Sequence, residues 1–184
     1  SEKVKFVQFG TIEYRKGYDV LLKAYKLLPQ NIKSQAELYF AGGFVNSGTP
    51  FCSYLFTEMK DEENVHYLGL IQGEKDKIKI LSQMDVIVVA SRDESCSLVA
   101  LEGSMLSKPL IVTENVGAKY IVENGNGVIV KTGDVESLKD AMEYMINNRS
   151  NFQAMGKQSR ANYEKNASIE KHTNDIREAF SNAI

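Results

Sequence analysis

Short apolar runs that end in glycine alternate with stretches of helical periodicity along the chain, and that alternation leaves few folds open. Val4-Lys5-Phe6-Val7-Gln8-Phe9 reads as a strand ended by Gly10. A helix follows from about Gly17 to Leu28, with Val20, Leu21, Ala24, Leu27 and Leu28 on one face and Pro29 closing it. Glu37 to Ala41 is a second strand before Gly42-Gly43, followed by a polar loop and a short helix around Ser53 to Lys60. Val65 to Leu68 is a third strand, stopped by Gly69, and Glu74 to Gln83 is a helix. Asp85 to Ala90 is the strongest strand signal, and its near-continuous apolar run suits a strand covered on both faces. A loop, a helix through about Met105, a strand from Pro109 to Val112, a turn of helix near Lys119 and a strand from Val128 to Val130 come next. Three helices close the pattern. Asp134 is placed to cap the first, whose face is Leu138, Ala141, Met142 and Met145. Ser150 with Gln153 fits a capping box for the second, and Ser168 fits a cap for the third, where Ile169, His172, Ile176 and Phe180 line one side.

Strand–helix alternation implies parallel strands joined by right-handed crossovers. The expected fold is α/β, a doubly wound Rossmann-like sheet of about six strands in the order 3-2-1-4-5-6, with helices on both faces and extra C-terminal helices. Ligands on such sheets bind beyond the carboxyl ends of the strands, where the strand order reverses. That places the chemistry in two loops, Gly10 to Gly17 and Ser91 to Ser97.

No Pro/Ser/Gly-rich linker or low-complexity tract interrupts the 184 residues, so 1–184 reads as one domain. Twenty-two Lys+Arg face 24 Asp+Glu, a net charge of −2 that gives no footing for a nucleic-acid surface. Cys52 and Cys96 form no C-x-x-C pair and have no His at metal-ligand spacing, which fits a reducing cytoplasm. No apolar run has the length to span a bilayer. Ser1-Glu2-Lys3-Val4 has no signal-peptide character and leads at once into a strand, as expected of an excised fragment.

Gly10-Thr11-Ile12-Glu13-Tyr14-Arg15-Lys16-Gly17 sets two cations at the mouth of a helix N-terminus, between glycines that allow a sharp turn and close approach of a ligand. Both features favour a phosphate. The loop is neither G-x-G-x-x-G nor a Walker loop, and read alone its Arg-Lys pair fits a solvated surface as well. In the second loop, Ser97 can cap a helix and leave the amides of Leu98 and Val99 facing the crevice, where a diphosphate would meet them. Glu94 precedes that helix and Glu102 lies eight positions on, inside it. Two carboxylates flanking an anion site make sense if each accepts from hydroxyls, a ribose on one side of the phosphates and a sugar on the other. The bland alternative has Glu94 complementing the helix dipole and Glu102 facing solvent.

The segment Ser91 to Val112 resembles the E-x7-E signature of family-four glycosyltransferases of the GT-B fold, P-S-x-x-E-G-F-G-L-x-x-x-E-A-M-A-x-G-x-P-V-I. Other pieces occur in the right order: G-x5-K-G at Gly10 to Gly17, Gly42-Gly43, His66-Tyr67-Leu68-Gly69, and Val116-Gly117-Ala118 before Glu123-Asn124-Gly125-Asn126-Gly127. The resemblance covers essentially the whole chain and identifies it as the C-terminal, donor-binding half of such an enzyme.

The resemblance implies roles. Lys16, with Arg15 beside it and Gly10 at the turn, would hold the donor's diphosphate. Glu94 would bind the transferred sugar, which makes Glu94 and Lys16 the catalytic candidates. Ser95, Cys96, Ser97 and Leu98 would complete the phosphate cradle, Glu102 would bind the ribose, and Leu70 and Ile71 would pack on the base. The expected reaction is retaining transfer from a nucleoside-diphosphate sugar, UDP- favoured over GDP-, to a glycan or lipid-linked acceptor in bacterial surface polysaccharide synthesis. The resemblance implies that it needs no cofactor and no metal, and the D-x-D metal motif that the family lacks is not found here either. The fragment alone is expected to bind donor without transferring it. The N-terminal acceptor-binding domain is the implied partner, and the implied location is the cytoplasm, peripheral at the inner face of the membrane through that missing domain.

Thr11 stands where many members carry an arginine, Ser95-Cys96-Ser97 replaces Gly-Phe-Gly, and Ala118 and Ser107 replace glycines; these departures bear on donor identity. His66 and His172 read as structural, Cys96 as a small space-filler, and Tyr14 either as a cover for the donor or as loop decoration. The alternatives from other classes are a nucleotide-sugar epimerase or hydrolase of the same fold, and a non-catalytic nucleotide-sugar-binding module.

Overall fold

Val86, Ile87, Val88 and Val89 are all buried, because this strand lies in the middle of a sheet with helices on both sides. The computed structural model describes residues 3–45 and 48–181. Ser1 and Glu2, and two residues of the polar loop after Gly43, lie outside the described residues. The strands are β1 (Val4–Phe9), β2 (Ala36–Ala41), β3 (Val65–Tyr67), β4 (Val86–Val89), β5 (Leu110–Thr113) and β6 (Gly127–Val130). All pair in parallel in the order β3-β2-β1-β4-β5-β6, the doubly wound order that the alternation predicts. β1 therefore sits between β2 and β4, at the point where the order reverses.

The alternation of β1 splits the core in two. Val4 and Phe6 face a layer with α1 (Tyr18–Lys26), α2 (Gln30–Lys33), α3 (Pro50–Lys60) and α6 (Val135–Asn147), while Val7 faces the side of α4 (Glu74–Gln83) and α5 (Leu98–Met105). Fully buried side chains such as Leu21 and Leu38 each contribute about 1.5–3 kcal/mol through burial. Two C-terminal helices follow, α7 (Phe152–Asn166) and α8 (Ile169–Ser181).

Two expectations need correction. Leu27 faces solvent; Tyr25 takes the core position instead, its hydroxyl donating to the Ala36 carbonyl at 3.3 Å. The Ser150–Gln153 capping box does not form. A 3-10 turn at Arg149–Asn151 runs straight into α7, so the residue at the cap, Asn151, has φ −94° and ψ −1° rather than the extended backbone from which a cap side chain reaches inward. Ile169, Ile176 and Phe180 share a side of α8 as the periodicity predicts, and that side is exposed, 82 % for Ile169 and 71 % for Phe180. The other caps form: Asp134 accepts from the Ser137 amide at 3.0 Å and Ser168 from the Lys171 amide at 3.1 Å. Among the described residues no helix is long and apolar enough to cross a membrane.

Candidate donor site

The loops after β1 and β4 meet beyond the carboxyl ends of their strands. Gly17 makes the meeting possible. It adopts φ 70° at the start of α1, and a Cβ there would lie 2.0 Å from the Ala90 carbonyl oxygen. Gln8, buried at the end of β1, donates to the Lys16 carbonyl at 2.6 Å, and the Arg92 amide donates to the Arg15 carbonyl at 2.7 Å. The result is a direct ion pair between residues 78 apart in sequence: Lys16 Nζ donates to Glu94 Oε1 at 2.7 Å. Ser91 Oγ donates to Glu94 Oε2, also at 2.7 Å, so both oxygens of this carboxylate are held. The side chains of Lys16 and Glu94 are only 17 % and 12 % exposed. Arg15 is more open and turns to Glu13 Oε1 (2.7 Å) and the Asp93 carbonyl (2.9 Å).

The loop after β4 is fixed on its other side by the segment after β5. The Gly117 amide donates to the Glu94 carbonyl at 2.8 Å, and Glu94 forms a parallel bridge with Val116. A Cβ on Gly117 would stand 1.8 Å from the Ser95 carbonyl oxygen, so only glycine admits this approach. Ser97 caps α5, accepting from the Ala100 amide at 3.3 Å. Among the described residues the amides of Ser95, Cys96, Ser97, Leu98 and Val99 find no acceptor. They lie at the positive end of α5, a favourable setting for an anion. Cys96 is exposed at this mouth and so fills no space in the packing, contrary to expectation.

Gly10, Gly42-Gly43 and Leu70 form the neighbouring wall. Tyr18 donates to the Gly10 carbonyl at 2.7 Å; a Cβ on Gly42 would collide with that same oxygen, and one on Gly43 would touch Leu70. A groove of about 660 Å³ begins at Leu70 and Ile71 and runs along α4 past Ile80 to Gln83.

Glu102 lies one turn into α5 and faces α4, not solvent. Lys77 Nζ donates to its Oε1 at 2.7 Å and also meets Glu74 Oε2 at 2.8 Å. Burial works against the Lys77 charge, but the bonds to Glu102 and Glu74 outweigh it and raise its pKa. Glu102 Oε2 is buried and has no hydrogen-bond partner among the described residues, a condition that costs about 1–3 kcal/mol.

Lys16, Glu94, Gly10 and the 95–98 segment therefore share one crevice, with Leu70 and Ile71 on a bordering wall and Glu102 tied to α4. Lys77, Arg92 and Asp19 carry no local motif and were missed; only their placement on facing elements reveals them. His66 stacks on Tyr39 at 4.8 Å and His172 is exposed on α8, and neither reaches the crevice residues. Tyr14 lies over the Arg92 guanidinium at 3.7 Å. Among the described residues no cluster of His, Cys, Asp and Glu could hold a metal ion.

Comparison with known proteins identifies the family and the fold. The family model described as glycosyl transferases group 1 matches residues 1–168. The D-rhamnosyltransferase WbpZ of Pseudomonas aeruginosa is 27 % identical over 168 residues, covering 86 % of this chain and 40 % of that protein. The capsular polysaccharide biosynthesis glycosyltransferase CapM of Staphylococcus aureus is 28 % identical over 156 residues, covering 84 % of this chain and 40 % of that protein. The chain thus spans about two fifths of the length of these relatives. Among solved structures, Anabaena HepE in complex with UDP superposes with a TM-score of 0.86 at 19 % identity, over 98 % of this chain and 49 % of that one. The C-terminal domain of a glycosyl transferase group 1 protein, LpcC of Francisella tularensis, superposes with a TM-score of 0.82 at 18 % identity, over 91 % of this chain and 88 % of that one. On the family match and the shared fold, this chain belongs to the glycosyl transferases group 1 family.

Proposed function

We propose that the chain is the donor-binding half of a retaining glycosyltransferase. It would take a sugar from a nucleoside-diphosphate sugar, UDP- first and GDP- second, to a glycan or lipid-linked acceptor in bacterial surface polysaccharide synthesis. The observation that carries this reading is the crevice itself: the Lys16–Glu94 pair stands beside a helix start where the amides of 95–99 find no acceptor among the described residues. A diphosphate there would take the Lys16 ammonium and those amides, and Arg15 lies near enough in the same loop to add charge. Glu94, released from Lys16 but still held by Ser91, would accept from hydroxyls of the transferred sugar. The chain's chemical contribution is electrostatic: donors fixed in advance where negative charge develops on the departing nucleoside diphosphate. With cations and amides supplying that charge, we read the transfer as metal-independent.

Similar proteins support the setting: CapM is a capsular polysaccharide biosynthesis glycosyltransferase, and HepE binds UDP and UDP-glucose. The acceptor would be bound by an N-terminal domain of the same protein, and the exposed apolar side of α8 offers it a contact. The reading places the enzyme in the cytoplasm, peripheral to the membrane where the acceptor is lipid-linked. Product analysis on the full-length protein, with UDP-glucose and related donors in chelator, tests it. The expected result is transfer with retained anomeric configuration, lowered about 100-fold or more in kcat/KM by Lys16→Ala. Release of free sugar only, epimerised nucleotide-sugar, or an inverted product would refute it.

A further inference from the structure

We propose that Lys77 is the positioning residue of the ribose site, holding Glu102 by one oxygen so that the other accepts from a ribose hydroxyl. The proposal rests on the donor reading above and adds to it a residue outside both crevice loops.

Two placements carry the argument. Glu102 lies one turn beyond the unbonded amides that begin α5, and Lys77 lies in the first turn of the helix that follows Leu70 and Ile71. The Lys77–Glu102 pair therefore bridges the interval between the proposed diphosphate cradle and the proposed base wall. In a nucleoside diphosphate the ribose is the group that joins phosphate to base, so it falls in that interval. Second, the two carboxylates of the site are held differently. Glu94 has a partner on each oxygen, while Glu102 has Lys77 on Oε1 and nothing on a buried Oε2. A buried acceptor without a donor is the feature that a ligand hydroxyl satisfies. Lys77 is anchored mainly through Glu102, because its other partner, Glu74, has a side chain that is 80 % exposed and holds it weakly. Without the ammonium, Glu102 would stand as an uncompensated, partly buried anion beside the diphosphate, free to rotate away from the ribose.

The test is calorimetric titration of the chain with UDP and GDP, then with the 2′-deoxy and 3′-deoxy forms of whichever binds more tightly. The variants are Lys77→Met, Lys77→Arg, Glu102→Gln and Glu74→Gln, with thermal melts as a check on folding. The parent chain is expected to prefer the ribonucleotide over at least one deoxy form by about tenfold or more. That preference falls to within about twofold in Lys77→Met and Glu102→Gln, and is kept in Lys77→Arg and Glu74→Gln. A Lys77→Met chain that melts normally and keeps the full preference overturns the proposal, as does a uniform loss of affinity for ribo and deoxy ligands alike. Equal binding of ribo and deoxy forms by the parent overturns the ribose role while leaving the donor reading in place. Failure of the parent to bind either nucleotide removes the donor reading and this proposal together.

Discussion

Arg92 and Asp19 face each other through two parallel hydrogen bonds, Nη1 to Oδ1 and Nη2 to Oδ2, both 2.8 Å long. Asp19 is buried in the first turn of α1, and Arg92 stands in the loop after β4, so the pair ties that loop to the helix that follows the first crevice loop. The Arg92 guanidinium also donates to the Tyr14 carbonyl at 2.6 Å and lies under the Tyr14 ring. The Lys16–Glu94 contact is thus backed by Arg92, which joins the loop after β4 to Tyr14 of the first crevice loop and to Asp19 at the start of α1.

Replacing Arg92 tests that clamp. Lysine keeps the charge but cannot reproduce the planar fork, so Arg92→Lys is expected to cost about 1 kcal/mol, one hydrogen bond's worth. Arg92→Ala leaves buried Asp19 unpaired and is expected to cost about 3 kcal/mol or more. Urea denaturation of both variants gives the ranking, and equal stability of Arg92→Ala and the parent would show that the clamp adds nothing to stability.

Gly117→Ala should act on the site through the backbone of the proposed phosphate cradle. The added carbon would overlap the Ser95 carbonyl, and the 95–98 segment must move to admit it. Nucleotide affinity is expected to fall by about tenfold, on the order of one displaced hydrogen bond to a charged group. Titration of the variant checks this, and unchanged affinity would separate the 95–98 amides from the binding surface.

Ser97→Ala removes the cap of α5. The expected cost is about 1 kcal/mol of stability, read as a shift of the urea midpoint at constant slope. A change in slope instead would point to loss of two-state unfolding.

Alkali should unfold this chain through its tyrosines. Burial, with a hydrogen bond to Glu37, pushes the Tyr39 hydroxyl up to about 12, and burial raises Tyr18 and Tyr25 in the same direction. A phenol whose folded pKa lies above its unfolded value of about 10 favours the fold while it is protonated. That stability is therefore complete below pH 10 and is lost as pH rises through 12. Unfolding free energies measured from pH 8 to 12 should be level and then drop; a decline centred near neutrality would contradict the assignment.

Much of this was readable from sequence where the signal is local. Strand runs such as Val4–Phe9 and Ala36–Ala41, with the glycines after them, mark out the sheet, and the strand order then decides which two loops meet. What stayed hidden depends on pairings across distance. Lys77 sits among charged residues of an ordinary amphipathic helix, and only the packing of α4 beside α5 brings it to Glu102. Asp19 reads as a routine acidic residue in a first helical turn until Arg92, 73 positions away, is placed on it. Leu27 and Tyr25 exchange their expected exposure because α1 turns its Tyr18, Leu21 and Leu22 side to the core, which puts Tyr25 in the middle of the buried face and Leu27 outside it, and Tyr25 has a carbonyl within reach for its hydroxyl.

The central claim is that Lys16 and the start of α5 form a diphosphate site. Calorimetric titration of the chain with UDP, GDP and ADP in the presence of chelator, repeated on Lys16→Ala, tests it most directly. The account predicts selective binding of one nucleotide, UDP first, weakened at least about tenfold in Lys16→Ala. Absence of binding to all three, or affinity unchanged by Lys16→Ala, would contradict it.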